Sequence, residues 1–166
     1  TGGINTAYVE NAARLVAPML ENYTVIVNKS TVPVGTADQV SKIISGANKK
    51  AKFDVASNPE FLREGSAIDD FMKPDRIIVG VDNPRPKELL EQIYQPLTNQ
   101  GVSLVTMDTK SAELTKYAAN AFLATKVAFI NEMAALCDAS GANVKAVAKG
   151  MGLDRRIGPR FLNPGP

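Results

Sequence analysis

The chain has 166 residues, 45% hydrophobic and 22% charged, with a net charge of +2. That describes one compact globular domain or one and a half, with too little charge to point to nucleic acid or a membrane surface. A single cysteine excludes an intrachain disulfide framework and suits a reducing cytosol, and the lack of histidine excludes a His-based triad or a His-ligated metal site.

Tyr8, Ala12, Leu15, Val16 and Met19 recur at helical spacing, and Pro18 closes that helix. Tyr23-Thr-Val-Ile-Val-Asn28 reads as a strand buried on both faces. Lys29 to Gly35 form the connecting loop. Thr36 and Gln39 have capping-box spacing ahead of a helix that buries Val40, Ile43 and Ile44. A second strand covers residues 52–57 and a third 76–81. Pro84 or Pro86 opens a helix carrying Leu89, Leu90 and Ile93, and residues 103–107 are the fourth strand. Strands alternating with helices predict a parallel sheet with right-handed crossovers.

From residue 111 to about 139 the pattern is one long helix, through Leu114, Ala118, Ala121, Phe122, Ile130, Met133 and Cys137, stopped by Gly141. On the order of 40 Å long, it suits a connector between domains or a subunit interface as well as a packing helix. Its most apolar part, residues 117–130, is interrupted by Asn120 and Lys126, so no membrane span is expected. Val144, Val147, Ala148 and Met151 make a short final helix. No signal peptide is read, and both ends look cut: Thr1-Gly-Gly runs straight into a helix, and Asn163-Pro-Gly-Pro166 stops within a loop.

Four groups of residues could carry chemistry. Asn58-Pro59 turns the chain at the carboxyl end of a strand, where open α/β sheets place ligands. Glu60 and Glu64 follow, four apart as on one face of a short helix. Mutual repulsion would then raise the pKa of one and suit a general base; the plainer reading is a solvated turn with Arg63 as counter-ion. Lys116 and Asn120 share a helix face and could stabilise an oxyanion, or be a solvated lysine and a loop-bonding amide. Ser30 and Thr31 could meet a cofactor phosphate, hold a water or cap the turn at Pro33 and Gly35. Asp154-Arg-Arg-Ile-Gly-Pro-Arg160 could grip a diphosphate or sit in solvent. Cys137 lies on the apolar helix face and is expected to be buried.

In combination, Lys29-Ser-Thr-Val-Pro-Val-Gly-Thr36, Asn58-Pro-Glu-Phe-Leu-Arg-Glu-Gly-Ser-Ala67, Pro74-Asp-Arg76, Glu113-Leu-Thr-Lys-Tyr-Ala-Ala-Asn-Ala-Phe122 and Arg156-Ile-Gly158 resemble the UDP-glucose/GDP-mannose dehydrogenase family over essentially the whole chain. The resemblance implies an α/β fold: the C-terminal part of a Rossmann-like parallel-sheet domain (1–108), then a long connecting helix and the start of an all-α middle domain (109–166). It implies a cytoplasmic homodimer, joined through the long-helix region. Its reaction is oxidation of a nucleotide-sugar C6 alcohol to a carboxylate with two NAD, through an aldehyde and a cysteine thioester that is then hydrolysed. UDP-glucose is the expected substrate. GDP-mannose or a UDP-N-acetylhexosamine is the alternative, against which Pro74-Asp-Arg76 leans. A non-catalytic dimerisation module is the alternative of another class.

The matching motifs also imply roles. Ser30, Thr31 and Val32 resemble the NAD-side loop, with Thr31 near the hydrolytic water, and Glu64 resembles a cofactor contact. Glu60 resembles the acid/base that activates water, and Glu60, Phe61, Leu62, Arg63 and Glu64 one wall of the sugar site. Lys116 and Asn120 would bracket the C6 oxygen, Arg156 would reach substrate across a dimer interface, and Asn163, Pro164, Gly165 and Pro166 would begin the loop over the nucleotide. Two departures stand out. No G-x-G-x-x-G occurs, and the cysteine nucleophile is expected about six residues beyond Pro166, a position Cys137 does not match. The 166 residues alone are therefore expected to bind NAD poorly and turn nothing over.

Overall fold

The computed structural model describes residues 5–165. They fall into two compact units divided after Tyr117. In the first, α1 (Ala7–Val16) continues as a 3-10 turn, Ala17–Met19. Then come β1 (Thr24–Asn28), α2 (Thr36–Ala47), β2 (Phe53–Ser57), α3 (Ala67–Met72), β3 (Arg76–Gly80), α4 (Pro84–Thr98) and β4 (Ser103–Met107). The long helix α5 (Thr109–Ser140) begins in this unit and runs into the second, which adds α6 (Val144–Gly152).

Alternation along the strands sorts side chains to two covered faces. Ile26 of β1 with Phe53 and Val55 of β2 pack toward Ala13, Ala17, Leu20, Val40 and Ile44, the layer made by α1 and α2. Val25, Val27, Ala56, Ile77 and Val79 face the opposite way, toward Leu90 and Tyr94 of α4. Helices on both faces of a mostly parallel sheet make this an α/β fold.

The strand order is β1-β2-β3-β4, with β1–β2 and β3–β4 parallel and in full register. The all-parallel expectation fails at the centre. There β2 and β3 meet antiparallel through one pair, Ser57 with Gly80, the last residue of each strand. Between them lie an irregular loop and the six-residue α3, whose roughly 9 Å is too short for a crossover that would run the chain back along the sheet. The chain overshoots the end of β2 and folds back, so both carboxyl ends come together.

Three sequence expectations are corrected. The stripe Tyr8, Leu15 and Met19 is exposed, while Ala13 and Ala17 on the other side of the helix are the buried residues. The apolar surface that α2 and β1 cover is therefore built from small side chains. Strand β1 is only half-buried along its length, as befits a strand at the sheet's edge. The capping box at Thr36 does not form: the cap position is Gly35 at φ +93°, and the Thr36 hydroxyl donates to the Pro33 carbonyl. The Gln39 side chain turns to Glu10 instead.

In the second unit α5 continues without a break, and α6 is capped by Asn143, whose side-chain oxygen accepts from the Lys145 and Ala146 amides. Cys137 is buried. Among the described residues no helix is long and apolar enough to cross a membrane.

Candidate active site

The junction of β2 and β3 fixes the position of the charged residues. Gly80 lies so close to the first turn of α5 that a Cβ there would stand 2.5 Å from that of Ala112. Its lack of a side chain lets α5 approach the sheet where β2 also ends. One turn further along α5 is Lys116, buried to 6% exposure. Three residues beyond Ser57 is Glu60. Their side chains form an ion pair, Lys116 Nζ to Glu60 Oε1, at 3.2 Å. Phe61 completes the group: its ring centroid is 5.1 Å from the Lys116 ammonium and 3.8 Å from the Arg76 guanidinium carbon. An aromatic face between two cations holds both in place by cation–π attraction.

Residues 58–66 form no helix, so Glu60 and Glu64 do not share a helical face; Glu64 is exposed at a turn. Asn58 and Pro59 are buried and take the chain out of helical geometry, and α3 starts only at Ala67. Glu60 bends back on its own loop instead, accepting the Leu62 amide at 2.7 Å. Arg63 serves neither glutamate; it grips Asp70 with its side chain and backbone amide, holding that carboxyl far below the usual range.

The expected upward shift of a glutamate is reversed as well. Partial burial pushes the Glu60 carboxyl up, but the Leu62 amide and the Lys116 ammonium, with help from Lys29, bring it below its ordinary value. Ionised at neutral pH, Glu60 can accept a proton, and Lys116 can donate to a developing negative oxygen.

The loop carrying Glu60 is anchored by residues that sequence reasoning left without a role. Buried Asn58 donates through its amide nitrogen to the Ile78 carbonyl at 2.7 Å and through its backbone N–H to the Asn28 carbonyl at 2.8 Å. Its side-chain oxygen accepts from Lys29 Nζ at 2.8 Å and also from the Tyr94 hydroxyl. The Lys29 carbonyl in turn accepts the Glu60 amide at 3.3 Å. Sequence carried only one signal of this hub, the Asn-Pro turn; its partners come from strands and helices distant in the chain.

Ser30 is exposed, Thr31 half-buried and Val32 buried. Val32 lines an open groove of about 200 Å³ along the outer edge of β1, with Val9, Ala13, Ile44, Asn28 and Ser30. The Asn28 side-chain nitrogen is buried and finds no partner among the described residues. That free donor, the Ser30 hydroxyl and an apolar floor fit the sugar and phosphate oxygens of a dinucleotide at a strand's carboxyl end. No cluster able to hold a metal ion occurs among the described residues.

In the second unit Asn120 is exposed one helical turn beyond Lys116. Arg156 is 89% exposed and folded onto Asp154 at 2.6 Å. Asn163 is exposed, Pro164 half-buried, and the exposed Gly165 donates its amide to Asn131 of α5 at 3.0 Å. Pro166 lies outside the described residues.

A model of the UDP-glucose/GDP-mannose dehydrogenase family, NAD binding domain, matches residues 1–98, and one of the same family's central domain matches residues 110–166. The UDP-glucose 6-dehydrogenase of Rhizobium meliloti (strain 1021) is 53% identical across 99% of this chain. The chain spans 38% of that relative's length. Among solved structures, a UDP-glucose dehydrogenase from the archaeon Pyrobaculum islandicum superposes with a TM-score of 0.94 at 40% identity, over 99% of this chain and 38% of its own. A GDP-mannose dehydrogenase from Pseudomonas aeruginosa gives 0.87 at 29% identity, over 99% and 39%.

Proposed function

The chain belongs to the UDP-glucose/GDP-mannose dehydrogenase family, and on that premise we propose that it is the middle part of a cytoplasmic, NAD-dependent UDP-glucose 6-dehydrogenase. The reaction is oxidation of the C6 alcohol of UDP-glucose to the carboxylate of UDP-glucuronate, with the cysteine that carries the thioester supplied from outside these residues. Residues 1–108 contribute to NAD binding, and residues 109–166 are the connecting helix and the start of the dimerisation and substrate domain. UDP-glucose is favoured over GDP-mannose because relatives near 50% identity carry the former name, whereas the GDP-mannose dehydrogenase structure stands at 29%.

The observation that supports this reading most directly is the Lys116–Glu60 pair where the carboxyl ends of β2 and β3 meet. When bound, NAD supplies the hydride acceptor. Ser30, Thr31, Val32 and Glu64 would hold it, with the Asn28 amide, unpartnered among the described residues, in the same groove as Ser30 and Val32. Lys116 and Asn120 donate hydrogen bonds to the C6 oxygen as negative charge gathers there. Glu60 takes a proton from the water that hydrolyses the thioester, and Thr31 helps to position that water. The loop of Glu60, Phe61, Leu62, Arg63 and Glu64 walls the sugar. Arg156 contacts substrate across the dimer interface, and Asn163 to Pro166 begin the cover over the nucleotide.

The homodimer is supported by Phe122, Phe129 and Leu136, exposed at seven-residue intervals along α5. Such a stripe fits a second helix. The test is NADH formation by the full-length protein against UDP-glucose, GDP-mannose and UDP-N-acetylhexosamines. Preference for UDP-glucose is expected; no turnover of any of them would overturn the assignment.

A further inference from the structure

Glu113 is 1% exposed, and the proposed chemistry makes no use of it. A buried carboxylate is costly unless its oxygens are fully satisfied. Here the Gly35 N–H donates to Glu113 Oε2 at 2.6 Å and the Ala37 N–H to Oε1 at 2.8 Å. These amides belong to the cap and first turn of α2, whose unpaired donors and positive dipole end favour a negative charge. The cap is supplied from a residue 76 positions further along the chain than Ala37. No local side chain caps the helix: the cap position is Gly35 at φ +93°, where a serine or aspartate would be strained, and the neighbouring Thr36 hydroxyl is turned away to Pro33.

What the distant cap achieves is a tie between two parts of the site. Gly35 closes the loop that begins with Ser30, Thr31 and Val32. Glu113 lies three residues before Lys116, on the same side of α5. The ion pair that joins α2 to α5 among the described residues, Lys110 with Asp38 at 3.0 Å, is exposed, and exposed pairs contribute little. Helix α5 is further pinned at Gly80 and by Asp82, which accepts the Thr109 amide and hydroxyl. A strut from a pinned helix can therefore hold the loop still.

We propose that Glu113 is a positioning residue whose carboxylate locks the cofactor-side loop, residues 30–36, to the helical turn bearing Lys116, so that the two are presented in fixed register. The inference rests on the function proposed above. It places Glu113 in neither direct contact with substrate nor in proton transfer.

The test uses the full-length protein and Glu113→Gln, which keeps the shape but replaces one acceptor by a donor facing an N–H. Three quantities are measured well below the unfolding temperature: NAD affinity by calorimetry without substrate, the KM for NAD, and kcat with UDP-glucose. A displaced loop should weaken NAD binding and raise its KM several-fold, and kcat should fall roughly tenfold to a hundredfold, the scale of an ångström-sized misplacement. Glu113→Asp, too short to reach both amides, should show the same pattern and serves alone if the glutamine variant does not fold. A lowered unfolding temperature with NAD affinity, KM and kcat all within twofold of the parent would reduce Glu113 to a structural cap and overturn the proposal. A parent protein that turns over no nucleotide sugar would instead overturn the underlying function, and this role with it.

Discussion

Lys116 keeps 8% of its side chain in solvent and Glu60 30%: the ammonium has exchanged water for the Glu60 carboxylate and the Phe61 ring, and the carboxylate has exchanged it for Lys116 and the Leu62 amide. The direction of the Glu60 shift follows from that exchange. Its folded pKa lies below the ordinary value, so its ionised form stabilises the fold above that value, and the contribution is lost as pH falls through the lowered one. Replacing Lys116 by Met removes the ammonium but leaves the partial burial that pushes Glu60 up. Carboxyl-carbon NMR should then show the Glu60 midpoint rising relative to the parent; an unchanged midpoint would mean that the pair is not formed in solution. The sequence pointed to Glu60 and Lys116 through motif resemblance, and their separation of 56 positions in the chain gave no local cue to contact. Spacing alone misread Glu60: a four-residue interval says nothing about a shared face once Asn58-Pro59 has taken the chain out of helical geometry.

Among elements, the decisive contact is that of β3 with the first turn of α5. A methyl group at Gly80 would press on the Ala112 side chain and sit 3.0 Å from the Thr109 Cα, backbone that cannot move aside cheaply. Gly80→Ala should cost about 1–3 kcal/mol as an overpacked site. It should also lower the unfolding temperature, measured by calorimetry, and weaken whatever chemistry depends on Lys116 more than conservative changes elsewhere in β3. An unaltered unfolding temperature would show that the close approach is not needed. Strands and helices were legible here because their apolar runs and punctuation agree, as β4 at Ser103–Met107 illustrates. The antiparallel meeting of β2 and β3 was not. It depends on the connection falling short of a crossover helix, and a six-residue α3 with no buried residue leaves almost no periodic trace. The exposed Tyr8, Leu15 and Met19 mark the same limit: amphipathic spacing locates a helix face but does not say what covers it.

At the scale of the whole molecule, the long helix offers Phe122, Phe129 and Leu136 to solvent in one row. Phe122→Asp with Phe129→Asp should convert the proposed dimer to monomers in sedimentation velocity without unfolding the chain; dimers that persist would place the interface elsewhere. If the Lys116–Glu60 pair is the chemical core of a nucleotide-sugar dehydrogenase, as proposed, the kcat of Lys116→Ala in the full-length protein with UDP-glucose and NAD will show it. Loss of a donor to the developing oxyanion should lower kcat by roughly 10²–10³, with NAD affinity retained. A kcat within twofold of the parent would remove Lys116 from the chemistry.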